Sequence, residues 1–201
     1  MKHCPLLVLL ALLPVLLLAQ PQLSYEGEVL DFALISSLAG GDTLLWNVSG
    51  DYYFSNLSDA AISQVIGFPV PSSDSASVAE ITELSLIDPA DSMRVELLRQ
   101  TNDGFAFRLD LPPRSFVGAR ISYTQKISGN QAGYVLLTAN SWGRPLPSCE
   151  ITLFVEGGLE LRDYPLPDPV IFPSSLGDTY HWQLTGFRPA TDFMVNLVER
   201  L

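Results

Sequence analysis

Cys149 and His181 are the two side chains beyond the first few residues that are best suited to nucleophilic chemistry. A thiolate attacks and an imidazole takes the proton, provided that the two lie within hydrogen-bond reach. Their neighbours argue against this. Cys149, Ile151, Leu153 and Val155 alternate with Glu150, Thr152, Phe154 and Glu156. On a strand this places the thiol on the mainly apolar face, as a small buried hydrophobe. Tyr180, Trp182 and Leu184 alternate with His181, Gln183 and Thr185, which points the imidazole to solvent. No Gly-x-Ser-x-Gly elbow occurs.

Metal chemistry is equally poorly served. One histidine and one cysteine fall short of the three or four nitrogen and sulfur ligands of a zinc site. Calcium takes oxygen ligands from acidic loops, and Asp88 with Asp91, or Asp163 with Asp168, are the pairs that could supply them. Neither pair stands in an Asp-x-Asp-x-Asp-Gly loop, so solvated turn aspartates are the plainer reading. Among 22 acids some pair will meet the spacing for sugar hydrolysis by chance, and the count selects none. We assign no catalytic residue, no metal ligand and no cofactor. A hydrolase using carboxylates or Cys149 is the alternative.

Aromatic residues are the remaining candidates. Tyr52, Phe54, Tyr123 and Trp182 run in phase with apolar neighbours and read as core. Trp142, Tyr164 and Phe172 fall in loops, where a large ring either plugs the end of a sandwich or anchors a partner. These three are the predicted binding residues.

The elements that must position them follow a period of two. Leu44, Trp46, Val48, Tyr52 and Phe54 share one phase; Phe105, Phe107, Leu109 and Leu111 share another; Val117, Ala119, Ile121, Tyr123 and Ile127 a third. Such alternation marks strands with one face in a core and one in water. Asn102-Asp103-Gly104 reads as a hairpin turn, and Ser128-Gly129-Asn130-Gln131 separates strands at 117–127 and 134–140. Only Asp59–Gln64 could form a turn of helix. The segments sum to about nine or ten strands, an all-β antiparallel sandwich of immunoglobulin-like or jelly-roll-like type. Leu111-Pro112-Pro113-Arg114 either divides two sublobes or carries the chain from one sheet to the other. Four prolines between Asp163 and Asp178 argue against regular pairing there.

The start of the chain sets the expected compartment. Lys2 and the apolar run from Pro5 to Ala19, followed by Gln20-Pro21-Gln22, read as a signal peptide over residues 1–20, with the β-sandwich over 21–201. The protein is then secreted or periplasmic, without a membrane span once the signal is removed. A net charge of −11 repels phosphate backbones, so nucleic acid is not an expected partner. Cys149 is the one cysteine beyond Cys4, which leaves no internal disulfide after signal removal. Asn47-Val48-Ser49 and Asn56-Leu57-Ser58 match the glycosylation sequon.

Asp51-Tyr52-Tyr53-Phe54-Ser55-Asn56-Leu57-Ser58 and Val65-Ile66-Gly67-Phe68-Pro69-Val70-Pro71 read as a strand, an Asn-containing corner and a strand end. With Ile121–Gln125 and Tyr134–Trp142, these resemble the bacterial secreted β-sandwich proteins of the DUF4424 type, over about residues 45–155. The resemblance implies fold and compartment; that family's function is unknown and it supplies no catalytic residues. The expected function is a binding or assembly module of the cell envelope. Its end loops, and a sheet edge open to a partner strand, would take a protein or polysaccharide partner. A purely structural envelope component is the third reading.

Overall fold

The computed structural model describes residues 23–36, 43–71 and 76–199. The expected signal peptide lies outside the described residues. Among the described residues there are thirteen strands, where the alternation predicts about nine or ten: β1 Leu23–Ser36, β2 Thr43–Asn56, β3 Ile62–Pro69, β4 Glu80–Ile87, β5 Arg94–Thr101, β6 Gly104–Leu111 and β7 Phe116–Ser128 are followed by β8 Gln131–Tyr134, β9 Leu146–Glu156, β10 Leu159–Asp163, β11 Val170–Pro173, β12 Gly177–Phe187 and β13 Phe193–Glu199.

The strands form a seven-stranded sheet, ordered β11-β12-β9-β1-β2-β7-β4, and two three-stranded sheets, β10-β13-β8 and β3-β6-β5. The all-β sandwich is present. Its layout departs from a purely antiparallel one, because β1 and β9 run parallel at the centre of the large sheet. Both small sheets pack on one face of the large sheet. Phe32 of β1 stacks on Phe193 of β13 at 5.3 Å, and Tyr52 of β2 meets Phe68 of β3 edge-on at 5.4 Å. The Trp46 indole N–H donates to the Gly133 carbonyl across the layers, at 2.9 Å. A single apolar cluster thus holds all three sheets, with Leu30, Leu34, Ile151, Leu153, Phe193 and Val195 fully enclosed.

Proline at 112–113 moves the chain between layers: β6 belongs to a small sheet and β7 to the large one. Asn56 ties this crossing to the one between β2 and β3. Its Nδ2 donates to Ala60 O at 2.8 Å and Pro112 O at 2.7 Å, and its Oδ1 accepts from Ser58 N and Ser58 Oγ. The amide is buried and fully engaged, so the Asn56 sequon is closed to modification in the folded protein. Residues 58–60 bend and β3 begins at Ile62, so no helical turn forms there.

Two further expectations are corrected. The segment after β8 is a 3-10 helix over Leu137–Trp142, not a strand. Its hydroxyls satisfy their own turns, Thr138 Oγ1 donating to Val135 O and Ser141 Oγ to Thr138 O. Asp192 accepts the first N–H, from Leu137, and Gly143 at φ +75° closes the far end. The proline-rich segment does pair: Val170–Pro173 lies antiparallel on β12 in register Val170↔His181. It forms the outermost strand of the large sheet, where a missing N–H can face solvent and proline is tolerated.

Candidate functional site

Local geometry in β1 builds the site. From Glu28 to Leu34 the even positions face inward; before that, the inward side chains are Leu23 and Tyr25. The switch is a bulge, a register shift between Tyr25 and Gly27 against β2. Gly27 has φ +158°, and a Cβ there would stand 2.5 Å from the Ser148 carbonyl of β9, so only glycine fits. The result places Tyr25 and Glu28, three residues apart, on the same inner face. Tyr25 Oη donates to Glu28 Oε2 at 2.6 Å.

Glu28 is only 4% exposed. Among the described residues its second oxygen receives only the weak Cys149 thiol, at 3.5 Å. None of the ion pairs among the described residues includes it. Burial raises its pKa above the ordinary 4.5, and the hydrogen bonds from Tyr25 and Cys149 offset this only in part. Tyr52 and Tyr134 share a 2.8 Å hydrogen bond beside it, joining the large sheet to β8. Burial, and then the Glu28 charge, push the phenols of Tyr25 and Tyr52 well above their usual range. Cys149 follows the same pattern, which makes it inert at neutral pH.

Tyr25, Glu28, Tyr52 and Tyr134 form the floor of a groove of about 860 Å³. One wall is β3, which pairs with β6 along one side and leaves its other edge to the groove. The facing wall is the 3-10 helix, with Leu136, Ala139 and Trp142. Trp142 packs on Tyr25 at 5.4 Å and on Phe54 at 5.8 Å. Mixed apolar walls with a few convergent polar groups are the usual makeup of a small-molecule site, and the volume lies within the customary range of about 300–1,000 Å³.

Of the three predicted binding residues, Trp142 enters this groove and the other two lie elsewhere. Tyr164 caps Trp182 edge-on at 5.8 Å, while its hydroxyl donates to Asp168 Oδ1 at 3.3 Å. Phe172 sits on edge strand β11, 57% exposed, beside the equally exposed Val170 and Ile171. Sequence reading missed Tyr25, Glu28 and Tyr134. The phase of Glu28 with Leu30, Phe32 and Leu34 is visible in the sequence; the reversal that brings Tyr25 to it is not.

Cys149 and His181 point to opposite faces. The thiol is enclosed with Ile151, whereas His181 lies outside, 3.5 Å from Thr152 Oγ1. Among the described residues no group of three or more His, Cys, Asp or Glu side chains could hold a metal ion. Asp88 occupies a turn at φ +48°, and Asp168 is engaged by Tyr164. No helix among the described residues is long and apolar enough to cross a membrane.

No family model matches the sequence, and no curated protein matches it. Solved structures do resemble the fold. A protein of Legionella pneumophila, provisionally named a nutrient-binding protein, superposes with a TM-score of 0.67 at 16% identity, over 89% of this chain and 67% of its own. An M1 zinc metallopeptidase of Deinococcus radiodurans gives 0.50 at 9% identity, over 88% of this chain and 43% of the enzyme. Leukotriene A4 hydrolase of Saccharomyces cerevisiae gives 0.49 at 8%, over 88% and 29%. This chain therefore spans less than half the length of either enzyme. At such identities the likeness to the first two is one of β-rich fold alone.

Proposed function

We propose that the protein is a non-catalytic binding module, secreted or periplasmic, that takes a small ligand in the groove between its two small sheets. The observation that carries this reading is the floor of that groove. A bulged strand brings the Tyr25 hydroxyl onto an inward carboxyl, beside aromatic walls, where a plain strand would have kept the two on opposite faces. The provisional name of the Legionella neighbour agrees with a binding role. The enzyme likeness brings no metal and no hydrolytic step to this chain.

Trp142 is the reporter. Trp46 and Trp182 are enclosed in the core, so a ligand entering the groove should change the Trp142 fluorescence. A fragment library screened by ligand-observed NMR should yield binders that quench it. Thr138→Trp, at an exposed position on the mouth, should weaken them in a protein that still unfolds cooperatively. Binders unaffected by both Thr138→Trp and Trp142→Ala would place the ligand elsewhere and refute the groove.

A second reading concerns an envelope partner, protein or polysaccharide, and is favoured by edge strand β11. Val170, Ile171, Phe172 and Leu176 expose apolar surface at the border of the large sheet. Crosslinking in the native envelope should lose its products in Phe172→Ala and keep them in Tyr164→Ala, since Tyr164 is engaged with Trp182. Equal capture by both variants and the parent removes this edge from consideration.

A further inference from the structure

The groove has a polarity that selects its ligand. Glu28 presents a carboxyl at the floor, and among the described residues its Oε1 has only a thiol at 3.5 Å for a partner, so lone pairs remain for a stronger donor. No cation among the described residues neutralises it; Arg144 pairs with Glu26 and donates to the Tyr25 carbonyl. Around the carboxyl stand the rings of Tyr25, Tyr52, Tyr134 and Trp142, all lining the same space. Aromatic faces attract cations, and more strongly where water is excluded. A buried carboxylate without a counter-ion is costly, and a ligand cation would remove that cost. The net charge of −11 further favours cations and disfavours anions.

Resting on the groove being a ligand site, we infer that it binds a small organic amine: an ammonium head seated on Glu28 between the tyrosine rings, with an apolar body along Ile66, Leu136 and Trp142. The ammonium supplies the N–H donors that Glu28 Oε1 lacks. The apolar part replaces water against β3 and the 3-10 helix, where Ile66 and Trp142 are only partly covered.

The test compares three probes of one shape on the purified protein by calorimetry and Trp142 quenching: phenethylamine, phenethyl alcohol and 3-phenylpropionate. The amine should bind at least about tenfold more tightly than the alcohol, an effect expected of one well-placed ion pair, and the carboxylate should be weakest. Glu28→Gln, which keeps the shape and removes the charge, should abolish the preference while leaving the alcohol's affinity in place. Equal binding of amine and alcohol by the parent protein, or a preference that survives Glu28→Gln, overturns the inference while the groove stands. Binding of none of the three overturns both. Should Glu28→Gln fail to fold, the ranking on the parent protein still decides.

Discussion

Glu26 lies on β1, part-exposed, with Arg144 Nη2 at 2.8 Å and Ser24 alongside. Slight burial raises its pKa, but the hydrogen bonds from Ser24 and Arg144 outweigh this and hold the carboxyl below its ordinary value. Glu28, two residues on, is enclosed, meets a phenol and a thiol, and is pushed the other way by burial. Side chains two apart on a regular strand share a face; these two do not, because Glu26 is the extra residue of the bulge and has no partner on β2. One extra residue in a ladder thus turns two like carboxylates into a solvated ion pair and an uncompensated acid. The lesson is that the floor is shaped by backbone, not by composition.

The strongest way to break this contrast is Gly27→Ala. The added Cβ meets the Ser148 carbonyl at a φ that alanine rarely adopts, and we expect a loss of about 2–4 kcal/mol in urea unfolding. Trp142 quenching by groove ligands should disappear with it.

Tyr25→Phe should follow, at about 1–3 kcal/mol, since it strips a buried carboxyl of its hydroxyl donor. Glu28 should then titrate at still higher pH, because that hydrogen bond lowers its pKa. The matched control is Tyr123→Phe. The Tyr123 hydroxyl is buried without a partner among the described residues, so its removal should cost nothing or stabilise slightly.

Opposite pH slopes sharpen the comparison further. Glu28 has a folded pKa above 4.5, so its contribution is complete below that value and is lost as pH rises through the folded pKa. Glu26 has a folded pKa below 4.5, so its contribution is present above that value and is lost as pH falls through the folded pKa. Urea midpoints from about pH 3 to about pH 8 should therefore show the parent losing ground to Glu28→Gln toward neutral pH, and to Glu26→Gln toward acid. The titratable groups facing Glu28 are Tyr25, Tyr52, Tyr134 and Cys149, and burial keeps all four protonated across this range. Parallel slopes for the two variants would erase the distinction.

The smallest loss, short of the Tyr123→Phe control, belongs to Arg144→Ala. With 45% of its side chain exposed, the guanidinium pair should be worth less than about 1 kcal/mol, readable as a small shift in midpoint that salt diminishes.

Much of the fold was legible in the residues. Alternation over 105–111 and 117–127 placed Phe107, Leu109, Ile121 and Tyr123 in the core, where they are. The outward His181 and the enclosed Cys149 follow from the same rule. Of the three residues singled out for binding, only Trp142 lines the candidate groove. Tyr164 and Phe172 share its loop character in sequence, yet one caps Trp182 and the other lies on an edge strand. The stretch after Tyr134 misled because short hydroxyl side chains can close a 3-10 turn as readily as they decorate a strand.

The sequence by itself determined which faces of its strands are apolar, because burial of alternate side chains is a local matter of pleat and hydrophobicity. It also determined an acidic protein with no pair of cysteines beyond its first residues. The tertiary structure alone decided that β1 and β9 run parallel, that β1 bulges against β2 with Gly27 close upon Ser148, and that β3 and a 3-10 helix stand apart over Tyr25 and Glu28. These are relations between segments more than a hundred residues apart in places. No local propensity encodes them; they arise only when three sheets compete to cover one core.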